Sequence, residues 1–171
     1  YYYSNPGYGL LTPILEKVTG KRFQELANSL FKELNMRNTY CYELNGPNTG
    51  LVNGYWVSKD SVSLFNFNSL NFSADTWTHF IPAGGMVSNA VDLTTWDQKL
   101  HKGKLLKPES YRLMTSYSIT AQHDAFGSEK VGYGYGIRIS DKTPVKYVGH
   151  SGKGIGFLVM KFYIPEKDIV V

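Results

Sequence analysis

The spacing of apolar residues changes along this chain, and the change limits the folds that the chain can adopt. In separate segments up to about Met114, apolar residues recur three and four positions apart, the spacing of an amphipathic helix. After Gly132 they alternate with glycines and polar residues, which is the period of a strand. Helices followed by an antiparallel group of strands predict an α+β fold.

The helices are predicted from start and stop signals around each apolar stripe. Asn5 followed by Pro6 is typical of an N-cap and a first helical residue, and Gly20 is a suitable end for that helix. Pro108 starts a short helix and Gly103 ends the one before it. The stripes are Leu10, Leu11, Ile14, Leu15 and Val18 in the first helix, Phe23 to Leu34 in the second, and Leu93, Trp96 and Leu100 in a third that runs from about Asp92 to Lys102.

The remaining residues predict loops and strands. Residues 35–82 lack a period and predict a long irregular segment with a short strand at Tyr55–Val57, and residues 82–88 predict a tight backbone passage at Gly84-Gly85. Strands are predicted over 133–139, 145–150 and 156–165, and from 169 onward. No linker divides the chain, so residues 1–171 are predicted to belong to one domain, mostly helical over 1–131 and sheet over 132–171.

Composition narrows the classes of function. Apolar residues make up 42% and charged residues 19%, which indicates a globular chain. The net charge of +4 is spread out, so no nucleic-acid partner is predicted. No apolar run is long enough for a membrane span, and no signal peptide is visible. The single Cys41 excludes a disulfide within these residues, and His79, His101 and His123 are isolated, so neither a metal site nor a cofactor is predicted.

Residues 148–154, VGHSGKG, carry the first candidate site. They approach the Gly-x-Ser-x-Gly nucleophile elbow, but residue 153 is Lys, and a strand follows where the elbow requires a helix. The same stretch lacks the spacing and the helix of a phosphate-binding loop. Neither motif is predicted, which leaves His150-Ser151-Gly152 to be explained in another way.

Three segments, taken in order, resemble one enzyme family. Tyr3-Ser4-Asn5 comes first, AGGMVSNAVDLTTW (83–96) follows, and GYGYGIRI (132–139) leads to VGHSGKGIGF (148–157). Together they resemble the serine β-lactamase and penicillin-binding protein family, most closely its class C-like branch of D-Ala-D-Ala carboxypeptidases, D-aminopeptidases and esterases. The resemblance implies a partial β-lactamase/transpeptidase-like fold, with helices beside an antiparallel sheet.

The resemblance also implies a role for each matched residue. The family acylates a serine in a Ser-x-x-Lys motif, assisted by Tyr-x-Asn on a loop and by Lys-Thr-Gly or His-Thr-Gly on a sheet edge. In that scheme Tyr3 relays the proton of the nucleophile, Asn5 positions the substrate, and His150 orients both Tyr3 and the substrate. Taken singly, Asn5 is better explained as an N-cap and His150 as a structural histidine, and it is the three segments together that favour a site. The predicted catalytic residues are Tyr3, Asn5 and His150, and the predicted substrate-binding residues are Ser151, Gly152 and Lys153, whose backbone N–H would be one oxyanion donor.

The nucleophile itself is not identified in these residues. One Ser-x-x-Lys exists, Ser29 to Lys32, but it lies deep in a predicted helix, off the apolar stripe, and follows Tyr3 in sequence instead of preceding it. We therefore expect a fragment of a catalytic domain that lacks an upstream helix and the end of its sheet. Such a fragment should be inactive toward nitrocefin or p-nitrophenyl acetate, and it could pair with another copy or with the missing part of its own chain.

The predicted function is part of a serine hydrolase that forms an acyl-enzyme with D-Ala-D-Ala peptides, β-lactams or small esters. Histidine in place of lysine in the third motif favours a carboxypeptidase or an esterase over a β-lactamase. One alternative is a non-catalytic peptidoglycan-binding or sensor domain with the same fold, and another is an unrelated α+β binding module whose triplets match by chance. The resemblance implies a location in the bacterial cell envelope, periplasmic or extracellular.

Overall fold

Helices precede the main sheet along the chain, as the change of period predicts. The computed structural model describes residues 2–66, 70–121, 128–154 and 156–171, so His123 lies outside the described residues. The α+β class is confirmed. The helices are α1 (Asn5–Gly9), α2 (Leu11–Thr19), α3 (Phe23–Glu33), α4 (Ala74–Gly84), α5 (Ala90–His101) and α6 (Pro108–Met114).

The strands in the described segments pair antiparallel. The prediction of a single strand over 133–139 is wrong, because Gly136 has a φ of 72° and the N–H of Gly134 donates to the Ile137 carbonyl, which makes a turn. β1 (Tyr40–Cys41) pairs with β4 (Met86–Val87), and β2 (Tyr55–Val57) pairs with β3 (Val62–Leu64). The largest sheet has the order β5 (Gly132–Tyr133), β6 (Arg138–Ser140), β7 (Tyr147–Gly154), β8 (Phe157–Ile164) and β9 (Ile169–Val170).

The chain forms two compact units. The first unit comprises Tyr2–Asp92 and Lys153–Phe157, with α1 to α4 and the two small sheets. The second unit comprises Leu93–Gly152 and Leu158–Val171, with most of α5, α6 and the main sheet. Tyr3 and Asn5 therefore belong to the first unit, whereas His150 belongs to the second.

The start of α1 is set by Ser4. Its hydroxyl accepts a hydrogen bond from the Gly7 N–H at 3.1 Å, which makes Ser4 the N-cap and Asn5 the first helical residue. The prediction of Asn5 as the N-cap is therefore wrong by one position. The predicted helix is also divided at Leu10, since Pro13 has no N–H to donate to the Gly9 carbonyl. Its apolar stripe is exposed, with Leu10, Leu11, Ile14, Leu15 and Val18 between 41% and 80% accessible.

Helix α4 lies in the segment for which the sequence predicts no regular structure. Ser73 caps it by accepting a hydrogen bond from the Thr76 N–H at 3.1 Å. Pro82 lies inside the helix, which explains why the sequence of this segment does not look helical. Trp77 is buried in the first unit, and its Nε1–H donates to the Tyr42 carbonyl at 2.8 Å. The helix therefore anchors the chain that leaves β1.

The passage from α4 to α5 is as tight as the paired glycines predict. A Cβ on Gly85 would come within 2.7 Å of the Ile81 Cα. Asn89 caps α5 by accepting from the Asp92 N–H at 2.8 Å. The Asp92 carboxylate in turn accepts hydrogen bonds from the Asn38 N–H and the Thr39 hydroxyl, both at 2.8 Å. Asp92 is thus a structural residue at the start of a helix, as the sequence indicates.

A buried group of polar residues joins α5 to β8 in the second unit; we call Asp97, His101, Lys161, Tyr111 and Tyr163 the Asp97 cluster. The Lys161 ammonium donates to the fully buried Asp97 carboxylate. The His101 ring accepts or donates at Nδ1 with the Tyr111 hydroxyl at 2.8 Å and stacks on Tyr163 at 4.5 Å between centroids. Burial raises the pKa of Asp97 against the opposing effect of Lys161, and burial followed by the Lys161 charge lowers the pKa of His101 to about 4.

Cys41, the one cysteine of the sequence, is buried in the first unit with 2% of its surface exposed. Its backbone N–H donates to the Asn28 side-chain oxygen at 3.1 Å. Burial, and secondarily the Glu43 carboxylate, raise the pKa of the thiol to about 11. The thiol is therefore protonated at neutral pH.

The described segments contain neither a candidate membrane-spanning helix nor a candidate metal site. None of their helices combines the length and the apolar content that crossing a bilayer requires. Within the same segments, no three His, Cys, Asp or Glu side chains are grouped so as to hold a metal ion.

Candidate active site

The third motif lies on β7, where that strand runs past the end of its neighbour. β6 pairs with the first three residues of β7, and the last residue pair joins Arg138 to Gly149. β7 itself continues to Gly154, so His150, Ser151 and Gly152 extend beyond this pairing. The strand has a neighbour on each side in the sheet order, yet its motif residues lie where the β6 side of the strand has opened. Backbone groups at such an edge are suited to binding an extended ligand.

Gly149 and Gly152 of this strand differ in the space around them. A Cβ on Gly149 would clash with the Lys161 carbonyl oxygen and lie 2.7 Å from the Phe162 Cα, because β7 and β8 are in close contact there. A Cβ on Gly152 would meet no atom of the described residues within 4 Å. Packing therefore explains why residue 149 is glycine. It does not explain glycine at position 152, whereas close approach of a ligand to the backbone would.

Both ring nitrogens of the half-buried His150 have partners in the second unit. Nε2 lies 2.8 Å from the Tyr133 hydroxyl, and Nδ1 lies 2.6 Å from the Ser151 carbonyl oxygen. The Tyr133 and His150 rings meet edge to face, with centroids 5.6 Å apart and planes at 81°. These contacts place the ring in one orientation.

The surroundings of His150 favour its neutral form. Burial is the largest effect and lowers its pKa, and the positive charges of Arg138 and Lys161 act in the same direction. The hydrogen bond to the Ser151 carbonyl acts in the opposite direction but does not outweigh them. A neutral His150 offers a substrate carboxylate no positive charge, so the cation beside the motif is Arg138.

Arg138 holds the hydroxyl of Ser151, the middle residue of the His150-Ser151-Gly152 triplet. Its Nη1 donates to the Ser151 Oγ at 2.8 Å, across the β6–β7 pair. Lys153 follows on β7 and is exposed, in the stretch that belongs to the first unit. The guanidinium and the hydroxyl together are a suitable donor pair for an anionic group.

The second motif lies at the start of α1 in the first unit. Tyr3 is 50% exposed and Asn5 is also exposed, while Ser4 between them caps the helix. Helix α1 is placed by Gly9, where a Cβ would lie 2.6 Å from the His79 carbonyl oxygen of α4. The structure thus gives Tyr3 and Asn5 accessible positions on a helix end fixed by close packing. Their convergence with His150 stays a prediction, since the two motifs lie in different units.

Ser29 lies where the sequence analysis places it. It is the seventh residue of α3 and is exposed, far from the helix N-terminus that would assist a nucleophile. The Ser-x-x-Lys of residues 29–32 therefore lacks the setting of the first motif.

Sequence reasoning missed Tyr133 and Arg138 as candidate site residues. Both lie in the segment 132–139 that carries part of the resemblance, but nothing distinguishes Tyr133 from Tyr135 in the sequence alone. The register distinguishes them: Tyr133 is opposite Arg138 in the β5–β6 pair, and Arg138 is opposite Gly149 in the β6–β7 pair. Only that pairing brings Tyr133 and Arg138 to His150 and Ser151.

Comparisons with known proteins identify the family and the fold of the chain. The family model described as Beta-lactamase matches residues 1–171. Similar solved structures include a penicillin-binding protein from Bacillus halodurans (TM-score 0.78, 19% identity, 99% of this chain and 49% of that chain). They also include an octameric penicillin-binding protein homologue from Pyrococcus abyssi (TM-score 0.76, 28% identity, 99% of this chain and 37% of that chain). A third is a D-amino acid amidase from Ochrobactrum anthropi SV3 (TM-score 0.75, 24% identity, 98% of this chain and 47% of that chain).

The coverage of these structures is uneven. This chain is matched almost completely but spans half or less of the length of each of the three. At 19% and 24% sequence identity, the structures from Bacillus and Ochrobactrum show the fold of this chain and no more. No curated protein matches the chain.

Proposed function

The chain belongs to the beta-lactamase family, the fold family of serine hydrolases that includes penicillin-binding proteins and D-amino acid amidases, and from this we propose that it contributes a Tyr-x-Asn motif and a His-x-Gly motif to acyl transfer on a serine. One observation carries the proposal. On β7 the Ser151 hydroxyl is held by Arg138 beside a Gly152 that no packing requirement explains. A polar edge next to unfilled space suits the binding of an acyl group.

The proposed reaction is transfer of an acyl group to a serine and then to water. The serine hydroxyl attacks the carbonyl carbon and its proton passes to the Tyr3 oxygen. Tyr3 relays a proton to the leaving group as the bond between that group and the carbonyl carbon breaks. Water then hydrolyses the ester and regenerates the serine. In this scheme Asn5 orients the substrate, and the backbone N–H of Lys153 donates to the oxyanion. The nucleophile is a serine other than the exposed Ser29 of α3.

We propose that the preferred substrates carry a carboxylate near the scissile bond, as D-Ala-D-Ala peptides and β-lactams do. Arg138 supports this preference because its guanidinium is permanently charged and already oriented by Ser151. Small esters without a carboxylate remain substrates in the proposal but lack this interaction. A substrate of the peptidoglycan type is in keeping with a location in the cell envelope, which we also propose.

The second candidate function is ligand binding without turnover, in a peptidoglycan-binding or sensor domain. It is favoured by the exposed, mid-helix position of Ser29 in the one Ser-x-x-Lys of residues 1–171. The complete gene product separates the two functions. Covalent labelling by a fluorescent penicillin, or release of D-alanine from a D-Ala-D-Ala peptide, supports the hydrolase; saturable binding without either supports the binding domain.

Gly152→Ala should lower activity without lowering stability. The added methyl group meets no atom of the described protein, but it lies in the space proposed for the acyl group. We expect kcat/KM to fall by about 10- to 100-fold, the scale of a misplaced reacting group, with an unchanged melting temperature. Gly149→Ala is the matched comparison, because its methyl group clashes with β8 and should lower the melting temperature. Full activity in Gly152→Ala would contradict the proposed site.

Arg138→Gln should change substrate preference. We expect kcat/KM to fall about tenfold for a carboxylate substrate, a typical value for one charge-assisted hydrogen bond, and to change little for the same substrate as its amide. Arg112→Gln, at an exposed position of α6, is the control that removes a positive charge elsewhere in the second unit. Equal losses for both substrates would show that Arg138 does not recognise the carboxylate.

A further inference from the structure

The His150 ring is held between two groups of different chemistry. On one side is the Ser151 carbonyl oxygen, 2.6 Å from Nδ1. On the other is the Tyr133 hydroxyl, 2.8 Å from Nε2. A carbonyl oxygen only accepts hydrogen bonds, whereas a phenol can donate or accept. The two partners therefore do not play interchangeable roles.

This difference assigns the proton of the neutral ring. Because the Ser151 carbonyl can only accept, Nδ1 must carry the hydrogen. A neutral imidazole then has an unprotonated Nε2, and the Tyr133 hydroxyl donates to it. Each partner satisfies one nitrogen, so the contacts select one tautomer as well as one ring orientation.

The contacts also link His150 to the backbone that the reaction needs. The carbonyl bonded to Nδ1 belongs to the peptide unit between Ser151 and Gly152. That peptide unit lies in the part of β7 beyond its pairing with β6, so the β6–β7 register does not fix it. The ring thus supplies a contact to the backbone beyond the last β6–β7 residue pair, where β6 contributes the Arg138 side chain.

We infer that Tyr133 is a positioning residue for the proposed acyl transfer: its hydroxyl holds His150 as the Nδ1–H tautomer, and the ring holds the Ser151–Gly152 peptide in place for the acyl group. The inference rests on the proposed function. In this role His150 connects Tyr133 to the backbone of β7 and delivers no proton to the substrate. Burial first, and then the positive charges of Arg138 and Lys161, lower the pKa of the ring, which disfavours its protonation and so keeps this arrangement intact.

The test compares Tyr133→Phe with wild type in the complete gene product. Phenylalanine keeps the edge-to-face ring contact and removes the hydroxyl alone. Tyr135→Phe is the matched control, since Tyr135 lies two residues further on and is 69% exposed. Long-range proton–nitrogen NMR spectra report which nitrogen of His150 is protonated, and steady-state kinetics report kcat/KM.

In wild type we expect a protonated Nδ1 and an unprotonated Nε2 at neutral pH. In Tyr133→Phe the Nε2 resonance should move downfield because it loses its hydrogen-bond donor. At the same time kcat/KM should fall about fivefold, the scale of one lost hydrogen bond, with the melting temperature within the range of Tyr135→Phe. Tyr135→Phe should change neither the resonance nor the kinetics.

The outcomes separate this inference from the proposed function. A wild-type protein without acyl transfer overturns the proposed function, wherever the His150 resonances lie. A wild type with acyl transfer but a protonated Nε2 overturns the inference alone. So does an active Tyr133→Phe variant that matches wild type either in kcat/KM or in the Nε2 resonance.

Discussion

Replacing Trp77 with alanine is expected to lower the free energy of unfolding by about 3 to 5 kcal/mol, the range for large aromatic residues in cores. Trp77 is 3% exposed in the middle of α4. Its ring lies among those of Tyr42, Phe72 and Phe80, with centroid distances of 5.4, 5.8 and 5.4 Å. Truncation leaves a cavity among these rings and removes the donor of the buried Tyr42 carbonyl.

Two further variants show where this energy comes from. Trp77→Phe keeps an aromatic ring but loses the Nε1–H, so we expect a smaller loss of about 1 to 3 kcal/mol. Trp56→Ala removes a tryptophan that is 60% exposed and contacts Phe65 at 6.5 Å, so its cost should be about 1 kcal/mol. Urea unfolding of the complete gene product, followed by circular dichroism, measures all three. Equal losses for Trp77→Ala and Trp56→Ala would contradict the central place given to Trp77.

Replacing Asp97 with leucine is expected to lower the free energy of unfolding by about 3 kcal/mol, the lower end for breaking a buried ion pair. Asp97 is fully buried, and its removal leaves the Lys161 ammonium without its carboxylate in a site that is 21% exposed. The limited exposure lets water reach the ammonium, which keeps the cost at that lower end. Chemical denaturation at pH 7 measures the loss.

The double variant Asp97→Leu with Lys161→Met should recover most of that loss. Its apolar side chains have similar volumes and leave no unpaired charge, and such replacements of buried ion pairs are often neutral. The raised pKa of Asp97 points in the same direction, because burial outweighs the attraction of Lys161 for the charged carboxylate. Recovery of stability would show that the unpaired Lys161 charge causes the loss in Asp97→Leu. A double variant as unstable as Asp97→Leu would show that lost packing causes it.

Lys102→Met provides the contrast for the ion pair. Lys102 donates to Asp168 at 2.7 Å, but the two side chains are 45% and 55% exposed. An ion pair in that setting is screened by water and contributes little to the free energy of unfolding. A large loss in Lys102→Met would show that exposure does not set the difference between the two pairs.

The sequence correctly predicted those elements that have both a regular spacing of apolar residues and a residue, such as glycine, that marks the end of the element. α2 ends before Gly20, which has a φ of 67°, and α3 begins at Phe23, as the stripe and the glycine indicate. β8 lies between β7 and β9, within residues 156–165, where the sequence predicts a strand. Where a local rule was disturbed, the prediction was wrong: Pro82 conceals α4, and Gly136 turns one predicted strand into two.

The residues of the candidate site also fall into two groups, those that a local sequence pattern predicts and those that it does not. His150, Ser151 and Gly152 could be named from the sequence because the triplet is contiguous and resembles a family motif. Tyr133 and Arg138 could not, since their relation to the triplet depends on strand register, which is set by pairing over long separations. The hydrogen bonds of His150 are a property of that register and are invisible in any single segment.

Cys41 provides a label that responds only to opening of the structure. A protonated thiol with 2% of its surface exposed cannot react with a maleimide until the chain around it separates. Its rate of labelling at neutral pH therefore counts the openings of β1 and the helix beside it, without any denaturant. In a pulse-labelling experiment on Trp77→Ala, mass spectrometry of the peptide that contains Cys41 would report the loss of stability at this one position, in a protein that is still folded almost all of the time.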